Sequence, residues 1–123
     1  MKKNMIIVLV IVVAAIAFLA YQSSLPGKND GFARCLVEKG AKMYGAWWCP
    51  HCQEQKREFG KSWKIMVDSG AYVECSTTDK QQTEICDKEK IDGYPTWRFA
   101  DGSEVGGKVS FASLEAKTGC VSD

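Results

Sequence analysis

The sequence lacks a block of basic or acidic residues, an internal repeat and a low-complexity tract. Its 123 residues carry 16 lysines and arginines against 15 aspartates and glutamates, so the formal net charge is +1. Binding to nucleic acid or to an anionic membrane surface needs a concentrated basic patch. The balanced charge therefore argues against a nucleic-acid partner, and the length predicts one globular domain.

Charged and strongly polar residues are also absent from MIIVLVIVVAAIAFLAY, residues 5–21. This run reaches the lower limit for a membrane-spanning helix, about 17 residues. Lys2 and Lys3 would hold the N-terminal end in the cytoplasm and send the rest of the chain across the membrane. We predict that residues 1–21 are an N-terminal membrane anchor. The alternative is a cleaved signal peptide with a small-x-small site at residues 15–17, which would leave the protein secreted.

Either interpretation puts the rest of the chain outside the cytoplasm, in the periplasm or at the cell surface. A polar Pro-Gly segment, residues 22–30, is predicted to be a linker to a domain at 31–123. Apolar spacing and turn residues in the domain predict the following elements in order: a helix at 31–40, a strand at 41–48, a helix from 49 that breaks at Gly60 and resumes to 67, a strand at 71–75, a polar helix at 81–90, a hairpin of 96–100 and 103–107, and a helix at 110–117. This order predicts an α/β fold with a mixed central sheet and helices on both faces.

Histidine is scarce, but cysteine is abundant, and all six cysteines follow residue 30. An even number of cysteines in an oxidising compartment suggests three disulfides. Spacing alone does not choose among the possible pairings. The stretch YGAWWCPHCQEQ, residues 44–55, contains two of the cysteines and the single histidine.

The Cys-Pro-His-Cys motif in this stretch has the pattern of a redox pair. Pro50 suits the first turn of a helix that begins at Cys49. Free N–H groups and the helix dipole favour a thiolate there, and the thiolate is the attacking species. Cys52, one turn further on, can close a small ring and expel a bound thiol. His51 would stabilise the Cys49 thiolate, and stabilising the reduced form raises the reduction potential.

Three other interpretations of the motif stay open. A zinc site would need two more ligands at matching spacing, but Cys75 and Cys86 have ten residues between them and no second Cys-x-x-Cys occurs. A purely structural Cys49–Cys52 disulfide would close too small a loop to stabilise the fold much. His51 could also be an ordinary surface residue. We expect no metal and no cofactor.

Aromatic residues and a proline are the candidate substrate-binding residues. Trp47 and Trp48 would form a wall beside the motif and offer an apolar platform to a partner, with one of them in the core and the other exposed. A proline that begins a strand beside a redox site is expected to be cis, which would bring the Tyr94 backbone next to Cys49. The alternative is a trans Pro95 on an edge strand. Trp48, Tyr94 and Pro95 are therefore predicted to contact substrate.

WCPHC, the later Tyr-Pro-Thr and the order of elements resemble the thioredoxin fold over about residues 31–120. KGAKMYGAWWCPHCQEQKREFG, YVEC and ICDKEKIDGYPTW resemble more specifically the thioredoxin-like domain fused to, or paired with, bacterial vitamin K epoxide reductase homologues. This resemblance implies a protein that is oxidised by a quinone-linked membrane enzyme and passes disulfides to secreted proteins. We expect that enzyme to be a separate polypeptide and the present chain to be a monomer.

The resemblance also implies roles for three residues: Cys49 as nucleophile, Cys52 as resolving thiol and Pro95 as the cis proline. Typical thioredoxins carry a buried aspartate six residues before the first active-site cysteine, where it serves the resolving thiol. Here that position is Met43. The missing carboxylate, and Pro-His between the cysteines, agree with an oxidant better than with a general reductant.

The resemblance further implies a structural disulfide between Cys75 and Cys86. Cys35 and Cys120 are then left over, and a bond between them would close a loop long enough for a chain-entropy estimate above about 4 kcal/mol. The alternatives for this pair are two free thiols or relay cysteines that accept electrons from a partner.

The sequence therefore predicts a membrane-tethered, extracytoplasmic thiol–disulfide oxidoreductase that acts on protein thiols, as an oxidase rather than a reductase. One alternative is a reductase or isomerase in the same compartment. The other is a binding or chaperone module whose disulfides are only structural.

Overall fold

The computed structural model describes residues 1–122. A long N-terminal helix precedes a domain in which helices and strands alternate before a final hairpin and helix, as predicted. The elements are α1 Lys2–Ser24, α2 Asp30–Glu38, β1 Lys42–Gly45, α3 Pro50–Phe59, a 3-10 turn Gly60–Ser62, α4 Trp63–Asp68, β2 Tyr72–Glu74, α5 Glu84–Lys88, β3 Thr96–Arg98, β4 Glu104–Gly106 and α6 Phe111–Thr118.

The four strands form one mixed sheet in the order β2-β1-β3-β4. The central strand β1 runs parallel to β2 and antiparallel to β3, and β3 pairs with β4 as an antiparallel hairpin. In this register Met43 of β1 lies beside Tyr72 on one side and Trp97 on the other. The predicted mixed sheet is confirmed.

Helices cover both faces of the sheet. Successive residues of β1 point to opposite faces, so they contribute to two separate core clusters. Met43 belongs to the larger core cluster, which receives buried side chains from α2, α3, α4 and α6. Tyr44 belongs to a smaller cluster that includes Cys86 of α5. The active-site helix α3 therefore packs on the side of the larger core.

The start and the end of α3 follow local sequence rules. Cys49 is the N-cap with an extended backbone, and Pro50 occupies the first turn, where its missing N–H costs no helical hydrogen bond. The helix ends at Gly60, whose φ of +56° favours glycine. A single 3-10 turn then leads into α4, so the predicted break at Gly60 is confirmed.

Helix α1 is long and apolar enough to cross a membrane, and none of its residues is buried against the domain. It continues to Ser24, beyond the predicted anchor, and the Ser23 and Ser24 hydroxyls donate to the carbonyls of Ala20 and Tyr21, at 2.8 and 2.7 Å. Residues 22–24 are helical and α2 begins at Asp30, so the non-helical connection between the two helices is residues 25–29.

The end of this connecting segment is fastened to the domain. The Asn29 backbone N–H donates to Ser62 Oγ at 3.0 Å, and its side-chain amide donates to the Glu58 carbonyl at 3.1 Å. Asn29 is buried. The domain end of the segment is therefore held against the domain by Asn29.

Two disulfides tie the domain together. Cys35 of α2 is bonded to Cys120, just after α6, with 85 residues of sequence separation and a Cα–Cα distance of 5.8 Å. Cys75, after β2, is bonded to Cys86 of α5, with a Cα–Cα distance of 5.5 Å. The first bond joins the two ends of the domain, and the second fixes α5 against the sheet.

Candidate active site

The two motif cysteines occupy different environments at the start of α3. Cys49, the N-cap, is 6% exposed, whereas Cys52, one turn into the helix, is completely buried. The Cys49 N–H donates to the Ala46 carbonyl at 3.1 Å, which turns the chain from the end of β1 into the helix. Both cysteines are thus buried, and of the two only Cys49 keeps some accessible surface.

Burial is the main influence on Cys52 and raises the pKa of its thiol to about 12. The Ala46 backbone and the Lys56 ammonium act in the opposite direction, and the neighbouring Cys49 raises the pKa further. A thiol with this pKa stays protonated at neutral pH. This arrangement would allow an incoming disulfide or thiol to react at Cys49 first, with Cys52 acting second.

The space for the Cys52 sulfur exists because Gly45, at the end of β1, has no side chain. A Cβ at Gly45 would lie 3.0 Å from Cys52 Sγ and 3.1 Å from Tyr72 Cε2. Both distances are tighter than ordinary van der Waals contact. A glycine at this position lets α3 bring the Cys52 sulfur directly against the sheet.

The Tyr94–Pro95 peptide bond is cis, as predicted, and it lies beside the motif. Cys49 Sγ donates to the Tyr94 carbonyl oxygen at 3.5 Å. Pro95 is buried, and Thr96 begins β3 immediately after it. The predicted approach of the Tyr94 backbone to Cys49 is thus present in the structure.

The prediction that one of the two tryptophans is a core residue is wrong. Trp47 is 46% exposed and Trp48 is 36% exposed, because β1 ends at Gly45 and the chain turns outward before α3. Both indole N–H groups are nevertheless held, Trp47 Nε1 by the Thr77 carbonyl at 3.1 Å and Trp48 Nε1 by Ser76 Oγ at 2.8 Å.

The Trp48 ring is also braced by the ring of Tyr94, which it meets edge to face with centroids 6.0 Å apart. Both indoles are held by hydrogen bonds at their edges, and Lys80 Nζ lies 5.8 Å from the centroid of the Trp48 ring. Trp48 and Tyr94, which are both partly exposed, and the buried Pro95 together form a rim beside Cys49.

His51 is exposed and lies beside Glu54. Its side chain is 67% exposed, and its Nδ1 lies 3.6 Å from Glu54 Oε2, one turn further along α3. Among the described residues, 1–122, His51 makes no hydrogen bond to Cys49. The predicted contact between His51 and the Cys49 thiolate is therefore not made in this structure.

Three residues near the motif were missed at the sequence level. Lys56 Nζ donates to the Tyr72 hydroxyl at 3.1 Å, and the Tyr72 hydroxyl donates to Glu74 Oε2 at 2.6 Å. Spacing offered a signal, because residues two apart on a strand share a face and residues four apart on a helix share a side. Tyr72 and Glu74 meet the first condition, and Cys52 and Lys56 meet the second.

Glu74 also supports the loop before the motif. Its Oε1 accepts hydrogen bonds from the Trp47 and Ser76 backbone N–H groups, at 3.1 and 3.0 Å. Gln53 donates to the Trp47 carbonyl at 2.9 Å from the other side. Within residues 1–122 no cluster of three or more histidine, cysteine, aspartate or glutamate side chains could hold a metal ion.

Two comparisons with known proteins bear on this site. The family model for thioredoxin matches residues 35–118. The thiol-disulfide oxidoreductase LTO1 of Arabidopsis thaliana is 41% identical over 91 residues, which are 71% of this chain. The chain spans only 23% of the length of that relative.

Proposed function

The chain belongs to the thioredoxin family, and from that premise we propose that it is a thiol–disulfide oxidoreductase whose redox pair is Cys49–Cys52. The observation that carries this proposal is the unequal placement of the two sulfurs: Cys49 at the rim beside the Tyr94 carbonyl, and Cys52 buried one turn below. The matching plant relative bears the same activity in its name, although the chain spans a small part of it.

In the proposed reaction a substrate thiolate attacks Cys49 Sγ of the Cys49–Cys52 disulfide. The sulfur–sulfur bond breaks, its electron pair passes to Cys52 Sγ, and Cys52 takes up a proton. A second substrate thiolate then attacks the substrate sulfur of the mixed disulfide and releases Cys49. The substrate leaves as a disulfide, and the reduced pair hands two electrons and two protons to a redox partner.

Pro50 starts the helix that presents Cys49, and the rim of Trp48, Tyr94 and Pro95 is the proposed contact for substrate proteins. Exposed aromatic faces favour an unfolded chain, which offers apolar side chains and free backbone. His51, at the exposed start of α3, lies beside Glu54, so its proposed influence on Cys49 is a weak one.

We assign the direction as oxidation of protein thiols. Met43 is buried on β1 where typical thioredoxins have a carboxylate for the resolving thiol, so the usual proton acceptor of a reductant is absent at that position. The two further disulfides, Cys35–Cys120 and Cys75–Cys86, fit an oxidising compartment. A reductase or isomerase in that compartment is the rival function.

The proposed arrangement has residues 1–21 as a membrane anchor, 22–30 as the linker and 31–123 as a monomeric domain on the extracytoplasmic side. The apolar character of α1 supports the anchor. The partner that reoxidises the pair is proposed to be a separate quinone-linked membrane enzyme like vitamin K epoxide reductase, which an anchored domain would meet in the plane of the membrane.

Replacement of the resolving thiol tests this proposal. A Cys52→Ala variant cannot expel a bound substrate, so we expect it to accumulate mixed disulfides with other proteins, seen as high-mass bands that a reductant removes. The double variant Cys49→Ser/Cys52→Ala is the matched control and should show none. Absence of such bands in the single variant would favour a binding module with structural disulfides.

A further inference from the structure

A chain of polar groups lies under the buried member of the redox pair. It runs from Lys56 on α3 through the Tyr72 hydroxyl to the Glu74 carboxylate on β2, with donor–acceptor distances of 3.1 and 2.6 Å. Burial is the first cause that raises the pKa of Tyr72, and its bond to Glu74 is the second. Tyr72 is therefore a neutral hydroxyl. It donates a hydrogen bond to the Glu74 carboxylate and accepts one from the Lys56 ammonium group.

Lys56 is fixed in place by these contacts. It is partly buried, and its Nζ lies 4.3 Å from the centroid of the Tyr72 ring and 6.0 Å from that of Trp63. A flexible lysine normally keeps its charge in bulk water. Here a hydroxyl and two aromatic rings hold the ammonium group between α3 and β2.

This arrangement places the ammonium group on the same side of α3 as Cys52. Lys56 follows Cys52 by four residues, so the two side chains share one side of α3. The Tyr72 ring and the Cys52 sulfur lie 3.1 and 3.0 Å from the same point above Gly45. Lys56 accordingly lowers the pKa of the Cys52 thiol, against the larger effect of burial.

The other groups that face Cys52 do not supply positive charge. Cys49 raises the pKa of Cys52 from within α3. Tyr72, from β2, and Tyr94, from the loop before β3, are phenols whose pKa values burial raises. Met43, the neighbour of Tyr72 across β1, is apolar and buried.

We propose that Lys56 stabilises the negative charge that forms on Cys52 Sγ during disulfide exchange, and that Tyr72 and Glu74 are positioning residues that hold Lys56 for this purpose. The inference rests on the proposed function. When the Cys49–Cys52 disulfide opens, the electron pair of the broken bond goes to Cys52 Sγ, which leaves as a thiolate and then takes a proton from solvent. In the reverse step the Cys52 thiol gives its proton to solvent, and the thiolate attacks the sulfur of Cys49 in the mixed disulfide. The bond between Cys49 and the substrate breaks, and the substrate leaves as a thiolate that takes up a proton.

The rate at which Cys52 attacks a mixed disulfide is a direct measure of this effect. The reduced full chain in detergent micelles is mixed with oxidised glutathione, and tryptophan fluorescence follows two phases. The first phase depends on glutathione concentration and forms the Cys49–glutathione disulfide. The second does not, and it reports the expulsion of glutathione by Cys52. The rate of the second phase is measured from pH 6 to 10.

Lys56→Met keeps the length and apolar packing of the side chain but removes its charge. An opposite charge near a thiol shifts its pKa by about one unit or more, so the second phase should be about tenfold slower in Lys56→Met and its pH profile displaced upward by about one unit. Tyr72→Phe, which removes the hydroxyl that holds Lys56 without changing the net charge, should give a smaller loss of the same sign. Lys56→Arg, which keeps the charge, should recover most of the rate.

The sign of the change in the second-phase rate distinguishes an effect of the Lys56 charge from a purely structural role of Lys56 as a brace between α3 and β2. Loosening a brace would admit water to Cys52, lower the cost of its ionisation and accelerate the second phase. The matched control is Lys64→Met, which removes an exposed lysine paired with Asp68 on α4 and should leave the profile unchanged.

Lys56→Met with an unchanged or faster second phase would overturn the role of Lys56, as would an equal slowing in Lys64→Met. These outcomes leave the proposed function intact, provided that the unaltered chain shows the second phase. Failure of the unaltered chain to expel glutathione would instead overturn the Cys49–Cys52 redox pair itself, and this inference with it.

Discussion

The Gln55 side-chain oxygen accepts a hydrogen bond from the Trp97 indole at 3.1 Å in the interior of the domain. The same oxygen accepts from the Val109 N–H at 2.8 Å, and the amide nitrogen donates to the Val109 carbonyl at 3.0 Å. Gln55 and Trp97 are both fully buried. One amide therefore joins the active-site helix α3 to the sheet and to the segment before α6, which fixes the helix that carries both cysteines.

Replacement of Gln55 by leucine should destabilise the domain strongly. The variant leaves the Trp97 and Val109 N–H groups buried without partners, and each unsatisfied group costs about 1–3 kcal/mol. We expect a loss of about 2–4 kcal/mol in the free energy of unfolding, measured by urea denaturation of the oxidised chain in detergent. Gln81→Leu, in an exposed loop, is the control and should change stability by less than about 0.5 kcal/mol. Equal stability of the two variants would contradict this account.

A methyl group at Gly45 should disturb the site more than the rest of the fold. It would lie 3.0 Å from the Cys52 sulfur, and overpacking of this kind costs about 1–3 kcal/mol. We therefore expect Gly45→Ala to lower the free energy of unfolding and to slow the reaction of Cys52. Gly31→Ala, in α2, meets nothing within 4 Å and should instead stabilise the chain by about 0.5–1 kcal/mol, since alanine favours a helix.

Features governed by local chemistry were predictable from the sequence. Pro50 after a cysteine indicates a helix start, Gly60 a helix end, and a Tyr-Pro pair before a strand allows a cis bond. The Cys-x-x-Cys spacing places two sulfurs one turn apart in any helix. These rules need only neighbouring residues, so the order of elements and the core of the site could be predicted without the tertiary structure.

Features that depend on register between distant elements were not predictable in the same way. The Lys56–Tyr72 contact joins α3 to β2, and its existence depends on how that helix crosses the sheet. Alternation along the strand could not assign Trp47 to the surface, because the strand stops at Gly45. The direction of the His51 ring was likewise not predictable, because a histidine at a helix N-terminus can reach either Glu54 or the sulfur atoms.

The raised pKa of Cys52 predicts a stability that depends on pH in the reduced protein. The folded pKa, about 12, exceeds the ordinary value of 9.0, so the folded state holds the proton over this interval while the unfolded state releases it. The contribution is complete below pH 9 and is lost as the pH rises toward 12. Between pH 8 and 10.5, the free energy of unfolding should therefore fall more steeply for the reduced chain than for reduced Cys52→Ala. Parallel curves would mean that Cys52 ionises in the folded state as easily as in the unfolded one.

The reduction potential of Cys49–Cys52 decides between the proposed oxidase and its rival. Pairs of this fold span from about −270 mV in thioredoxin to about −120 mV in strong oxidants. We expect a value above about −200 mV for the full chain, measured in glutathione buffers by thiol labelling and mass. The labelling must show Cys35–Cys120 and Cys75–Cys86 intact, so that one pair alone is titrated. A value near or below that of thioredoxin would make the protein a reductase.

The exposed position of His51 predicts that it contributes little to this potential. Its side chain is 67% exposed and lies 3.6 Å from Glu54, and an exposed ion pair is worth only about 0–1 kcal/mol. About 30 mV corresponds to 1.4 kcal/mol for two electrons, so His51→Gln should shift the potential by less than about 30 mV. Gln53→Ala, which removes the exposed amide that holds the Trp47 carbonyl, is a matched change on the same turn of α3. A fall well beyond 30 mV in His51→Gln alone would mean that the ring leaves Glu54 and stabilises the Cys49 thiolate in the reduced protein, as the sequence motif first suggested.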